Sequence, residues 1–271
     1  MFGSAILEVI VGLAFVYFVL SVIASHLTEL VAGRLGWRGA DLEQGIRTLL
    51  ADPNLADSVW QHALITGLSG KPGRSPSYIP ASTFATALLD VLGAAGKSGP
   101  PLHTLVNGMP AGSARQALLS IVNSADGDHA RTRLGIESWY NAAMDRVTGV
   151  YKRRIQSLTL GLAALLTVVL GADTIALVTT MWQDQALRTA LSGAAQTATG
   201  AGLEDTLNTL SQFDLPFGWV YLPQTAFGWF LKVLGLLVTA LAISLGSPFW
   251  FDLLKQFTNP RSSGAVPNAA S

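Results

Sequence analysis

The stretch VIVGLAFVYFVLSVIAS, residues 9–25, decides the fold of this chain because it contains no charged side chain. Two further stretches share this property: IQSLTLGLAALLTVVLGA at residues 155–172 and VLGLLVTALAISLGSPFWF at residues 233–251. A helix that rises 1.5 Å per residue needs about 20 residues to cross the roughly 30 Å hydrocarbon core of a bilayer. The three stretches therefore predict three transmembrane helices.

The composition supports a membrane protein. Charged residues make up 13% of the chain, about half the usual share of about 25% in soluble domains, and the mean hydropathy is +0.42. The net charge is zero, which gives no indication of a nucleic-acid partner. The absence of cysteine excludes disulfides, thiolate zinc sites and cysteine nucleophiles. We expect the lipid bilayer to be the first partner of the chain.

The first apolar stretch is expected to remain as an anchor. A cleaved signal peptide needs a basic N-terminal region and a short apolar core. Residues 1–4 contain no Lys or Arg, and the apolar pattern continues through Leu27, Leu30 and Val31. A weak cleavage site at Ala24 and Ser25 is the alternative.

The basic residues predict the orientation. Arg146, Lys152, Arg153 and Arg154 precede the second apolar stretch, whereas Arg188 is the one basic residue between positions 174 and 229. Lys and Arg accumulate on the cytoplasmic side of membranes. We therefore expect the N-terminus outside and residues 27–154 and the C-terminus in the cytoplasm. The four basic residues are also expected to contact lipid head groups.

These observations predict an all-α chain in which a small helical cytoplasmic domain is inserted between the first and second of three transmembrane helices. Asp41 is expected to cap the first short helix of that domain. Gly246, Ser247 and Pro248 are expected to break the last helix. The predicted segments are transmembrane helix 1 with a cytoplasmic extension (5–35), the helical domain (38–127), a long helix carrying transmembrane helix 2 (128–182), an outward-facing loop (183–228), transmembrane helix 3 (229–257) and a disordered tail (258–271).

Aromatic residues are expected at the two membrane surfaces, because Trp and Tyr combine an apolar ring with a polar group. The expected outer residues are Trp219, Tyr221 and Trp229, and the inner ones are Phe249, Trp250 and Phe251.

Three charged residues near the outer ends of the spans are candidates for function, since charges in membranes are costly. Lys232 could form an ion pair with Glu8 or with Asp173. Alternatively, each charge lies at head-group depth and needs no partner. For Asp173, we expect a third role, as the N-cap of a short helix that follows the second span.

A second group of charges is expected at the inner surface. Glu29 and Asp252 could form a network there with Arg153 and Arg154. Exposed ion pairs contribute less than about 1 kcal/mol, so the predicted role is positioning.

No motif indicates catalysis, a cofactor or a metal. The histidines at positions 26, 62, 103 and 129 lack the spacing of metal ligands. The Gly96-Lys97-Ser98 sequence follows no predicted strand, and Val91 occupies the position of the first glycine of a phosphate-binding loop. We therefore expect a protein that is not an enzyme.

Several short motifs resemble those of a family of bacterial integral membrane proteins that has no established activity. They are SYIP at 77–80, WY at 139–140, YKRR at 151–154, ADT at 172–174 and SLGSPFWFD at 244–252. The resemblance extends over nearly the whole chain. It implies a location in the bacterial inner membrane and adds no mechanism.

Three functions remain open at this point. The first is a membrane anchor or scaffold whose cytoplasmic domain docks a protein partner. The second is a subunit of an oligomeric channel or transporter, since three helices enclose little space alone. The third, an enzyme acting on lipid or envelope substrates, has the weakest support. A homo-oligomer is compatible with the first two.

Overall fold

The computed structural model describes residues 4–70, 75–93, 101–198, 208, 212–219 and 222–258, and all regular secondary structure in these ranges is helical. The chain forms two compact units. Unit 1 comprises residues 1–31 and 155–271, and unit 2 comprises residues 32–154. Each unit has its own hydrophobic core.

The helices of the described residues are as follows, numbered in chain order: α1 Ala5–Leu35, α2 Trp37–Leu50, α3 Pro53–Trp60, α4 Ala63–Thr66, α5 Ala81–Val91, α6 Leu102–Asn107, α7 Ser113–Ala125, α8 His129–Leu170, α9 Thr174–Gln183, α10 Gln185–Ala198, α11 Ala226–Ser244 and α12 Ser247–Thr258. Three of them, α1, α8 and α11, are long and apolar enough to cross a membrane. This confirms the prediction of three membrane-length helices in an all-α chain.

Unit 2 is a set of short helices around a core of side chains such as Ile46, Leu88 and Ile136. The ring of Phe84 stacks on Tyr140 with centroids 4.4 Å apart. Hydrogen bonds from Arg47 to Glu43 on its own helix and to Asp57 on α3 raise the pKa of the Arg47 guanidinium. The described residues of the predicted segment 38–127 form helices and the loops between them, and unit 2 extends beyond that segment to residues 32 and 154.

Asp41 does not cap a helix. Helix α2 begins at Trp37, directly after Gly36, whose φ of 62° is in the left-handed region that glycine adopts easily. Asp41 is therefore inside α2, and the expected cap at this position is wrong.

In unit 1, residues 155–188 run antiparallel to α1. Thr28 bonds to Thr159 at 3.3 Å, Tyr17 to Thr174 at 2.7 Å, and Glu8 to Arg188 at 3.0 Å. As the residue numbers rise along the later segment, those of the partners on α1 fall. Helices α8 and α9 therefore continue one another along α1.

The second predicted segment, a long helix over 128–182, is interrupted. Helix α8 begins at His129, close to the prediction, but ends at Leu170, and α9 starts four residues later. The predicted loop at 183–228 is also partly helical, because α10 occupies Gln185–Ala198. Leu191 and Ala195 of α10 are fully buried in the core of unit 1, so this part of the predicted loop is a packed helix.

The third predicted span consists of two helices. Helix α11 ends at Ser244 and α12 begins at Ser247. Between them, Gly246 has a φ of 86°. The break predicted at Gly246 to Pro248 is confirmed: the positive φ of Gly246 ends the helical path, and Pro248 lies in the first turn of α12, where its missing N–H costs no helical hydrogen bond. The predicted disordered tail lies almost entirely outside the described residues.

Candidate functional site

The break between α8 and α9 is the most distinctive feature of unit 1. The N–H of Gly171 donates to the carbonyl of Val168, and that of Ala172 to the carbonyl of Thr167, which is the pattern of a Schellman motif. Gly171 has the left-handed φ of 59° that this motif requires. The free carbonyl of Leu170 accepts from the N–H of Gly218 at 2.7 Å. Three of the last four carbonyls of α8, those of Thr167, Val168 and Leu170, therefore keep a hydrogen-bond partner where the helix stops.

Asp173 caps the helix that follows. Its Oδ1 accepts from the N–H groups of Ile175 at 2.9 Å and Ala176 at 3.4 Å. This confirms the predicted N-cap, which satisfies N–H groups that would otherwise be unpaired. Asp173 was expected near the outer end of a span, but it lies beside the middle of α11. The carboxylate sits on the backbone at Gly235, the central residue of α11, where a Cβ atom would overlap its oxygen.

A chain of three hydroxyl groups links α1, α9 and α11 beside this cap. Thr239 Oγ1 donates its one hydrogen to the carbonyl of Gly235 at 2.9 Å, so it can only accept from Thr174, at 2.7 Å from the hydroxyl and 3.1 Å from the N–H. The hydroxyl of Thr174 then accepts from Tyr17 at 2.7 Å. Each hydroxyl hydrogen is used. We call Tyr17, Asp173, Thr174, Gly235 and Thr239 the central polar cluster.

Glu8 has a different partner from the one expected. Its carboxylate pairs with Nε of Arg188 at 3.0 Å, and the two side chains are only 19% and 11% exposed. Arg188 also donates to the carbonyl of Met181 at 3.3 Å. Neither alternative considered for Glu8, a pair with Lys232 or a charge without a partner, is therefore observed. Because α10 folds back along α1, it brings Arg188 to Glu8.

Lys232 is 9% exposed. Its ammonium group lies 5.1 Å from the ring centroid of Trp219, within the range of a cation–π interaction. Lys232 precedes Gly235 by three residues and so shares a side of α11 with the Asp173 carboxylate. An ion pair between Lys232 and Asp173 is not among those of the described ranges.

The predicted surface aromatics fall into two groups. Trp250 is buried and donates to the carbonyl of Ala242 at 2.7 Å. Its ring contacts that of Tyr17 in a tilted arrangement with centroids 4.8 Å apart, and the ring centroids of Phe251 and Phe18 are 6.0 Å apart. Trp250 thus belongs to the core of unit 1, contrary to its expected surface position. The others are exposed except Tyr221, which lies outside the described residues: Trp219, Trp229 and Phe249.

The predicted inner charge network takes another form. Arg154 pairs with Oδ1 of Asp41 at 3.2 Å and stacks on the ring of Trp37 at 4.0 Å, all within unit 2. Glu29 and Asp252 are exposed, as are Lys152 and Arg153. Arg154 is therefore engaged by a carboxylate that the sequence analysis had assigned to a helix cap.

A groove in unit 2 lies between α2 and α8 and has a volume of about 400 Å³. Ser113 of α7 completes its rim. We call it the α2–α8 groove, and its remaining lining residues are Asp41, Gln44, Gly45, Thr48, Leu49, Trp139, Ala143, Arg146, Val147 and Val150. At its base, α2 and α8 approach closely, because a Cβ at Gly45 would overlap the Val147 side chain.

Groups of His, Asp and Glu able to hold a metal ion are not found among the residues that the structure describes. Sequence reasoning missed the roles of Arg188, Gly235 and Asp41. A signal for the break was present in the order Leu170-Gly171-Ala172-Asp173, which combines a C-terminal glycine with an N-capping aspartate.

Comparisons with protein-family models, with curated protein sequences and with solved structures found no match to this chain.

Proposed function

We propose that this chain is a membrane anchor or scaffold whose unit 2 docks a partner protein. One observation carries the proposal: the chain separates a unit with membrane-length apolar helices from a unit with its own core and an open groove. Such a division fits a protein that holds a binding module at a membrane. The absence of catalytic motifs from the sequence agrees with a binding role.

We place α1, α8 with α9, and α11 across the bilayer. Tyr17 is central in the uncharged residues 9–25, and Gly235 is central in α11, so the central polar cluster would lie near the bilayer midplane. Irregular backbone at that depth is tolerated only where protein covers it. The partnered carbonyls at the α8–α9 break agree with this requirement. The resemblance of the sequence motifs favours the bacterial inner membrane.

The basic residues at 146–154 favour a cytoplasmic unit 2, with the N-terminus outside. The chain has no cysteine, so single cysteines can report the orientation. With a membrane-impermeant maleimide, we expect labelling of Ser4→Cys and Asp184→Cys in intact spheroplasts. Asn123→Cys and Gln256→Cys should react only after permeabilisation. Labelling of Asn123→Cys in intact spheroplasts would contradict this orientation.

If unit 2 docks a partner protein, binding of that partner should depend on unit 2. We expect a recurrent soluble protein to co-purify with the tagged chain in mild detergent. Its recovery should fall at least about tenfold, a loss of about 1.4 kcal/mol, when residues 38–127 are replaced by a Gly/Ser linker. Unchanged extraction of the variant from membranes is the control. A pure chain without any partner would contradict the scaffold.

The α8–α9 break favours a second candidate, a transport subunit, because discontinuous helices bind substrates and ions in many transporters. The hydroxyl chain argues against it, since its hydrogens are all used within the protein. Cation flux into proteoliposomes that Asp173→Asn abolishes would support transport over the anchor.

A further inference from the structure

The α2–α8 groove has the composition of a protein interface. Its base is apolar and includes Leu49, Trp139 and Val147, whereas polar side chains such as Gln44 and Thr48 line the rim. An apolar centre surrounded by a polar rim is typical of binding surfaces. Val150 is 53% exposed although it is a large apolar residue beside this base. The groove thus presents apolar surface that the described part of unit 2 does not cover.

Two charged residues of the groove have unused bonding capacity. Oδ2 of Asp41 is buried without a hydrogen-bond partner in the described part of the chain, while Oδ1 is held by Arg154. A buried acceptor left unpaired costs about 1–3 kcal/mol. Arg146, on α8, makes no ion pair within the described residues. A ligand with a donor for Asp41 and an acceptor for Arg146 would complement both.

We propose that the α2–α8 groove binds one amphipathic helix of the partner protein, with a Lys or Arg that pairs with Asp41 and an Asp or Glu that pairs with Arg146. This inference rests on the proposed docking function and names its site. The groove lies between two helices and is open along one side, so a bound small molecule would stay largely in water. A helix fills such a groove with side chains at i, i+3 or i+4, and i+7.

Photo-crosslinking from the full-length chain in its native membrane tests the site. A benzoylphenylalanine at Gln44, on the groove rim, should cross-link to the partner. The same residue at Leu134, which is 63% exposed on α8 but does not line the groove, is the matched control and should not. Mass spectrometry should map the cross-link to a helical segment with apolar residues on one face and a basic residue beside them.

Substitutions in the groove and in the partner test the chemistry of binding. Asp41→Asn keeps an oxygen for Arg154 but removes the charge, and should lower the cross-link yield at least about tenfold. Replacing the partner's basic residue by Ala should then have little further effect. Asp145→Asn, an exposed carboxylate of α8 outside the groove, should leave the yield unchanged. Val150→Glu should abolish the cross-link by placing a charge on the apolar base.

Several outcomes would overturn the proposal: a cross-link to lipid, a cross-link to a second copy of the chain, a partner segment without a basic residue, or an unaffected Asp41→Asn. A partner that co-purifies through unit 2 but cross-links only outside the groove would overturn this inference and leave the docking function standing. Failure of co-purification would remove both.

Discussion

Gly235→Ala is expected to destabilise unit 1. The new Cβ would overlap the Asp173 carboxylate, which must then leave the N–H groups of Ile175 and Ala176. Overpacking costs about 1–3 kcal/mol and loss of an N-cap about 0.5–2 kcal/mol, so we expect a loss of about 2–4 kcal/mol. The free energy of unfolding in mixed micelles measures it.

The control for this prediction is Gly161→Ala in α8. A Cβ at position 161 meets nothing within 4 Å, and alanine favours a helix over glycine by about 0.5–1 kcal/mol. This variant should be as stable as the parent chain or slightly more stable. Combining Gly235→Ala with Asp173→Ser should recover part of the loss, because serine is shorter and still caps. Equal stability of Gly235→Ala and Gly161→Ala would show that the cap does not lie on Gly235.

Arg188→Met is expected to cost about 2–3 kcal/mol, less than the roughly 3–5 kcal/mol for breaking a fully buried ion pair, because both side chains retain some exposure. The substitution leaves the Glu8 carboxylate unpaired and removes the bond to Met181. The free energy of unfolding of the variant in mixed micelles, compared with that of the parent chain, measures this loss.

A double-mutant cycle tests whether Glu8 and Arg188 interact as an ion pair. Glu8→Met combined with Arg188→Met should be less destabilising than the sum of the two single changes, because no unpaired charge remains. Arg131→Met breaks an exposed pair with Asp128 and should cost less than about 1 kcal/mol. Strict additivity at Glu8 and Arg188 would contradict the ion pair.

The local signals in the sequence predicted several elements well. The uncharged residues around Tyr17 predicted α1 with its bounds of Ala5–Leu35, and the Gly246 to Pro248 sequence predicted the break after α11. Asp173 was predicted as an N-cap from its position before an apolar run. Each of these depends on properties of consecutive residues, such as hydropathy, glycine conformation or capping, that one segment displays alone.

The candidate sites were harder to predict, because their members are far apart in the chain. Arg188 reaches Glu8 across 180 positions, and Asp173 approaches Gly235 from a different helix. Asp41 was predicted as a cap because aspartate favours that role, but its neighbours on α8 decide its contacts. A sequence does not show which glycine another side chain will approach.

The sequence by itself determined that this chain is helical and has three apolar segments long enough to cross a membrane, because hydropathy and helix rise are properties of each segment. The tertiary structure alone decided that α9 continues α8 along α1, that the central polar cluster lies at the centre of α11, and that α2 and α8 leave a groove between them. These features depend on which side chains meet after packing, and packing is set by the whole fold.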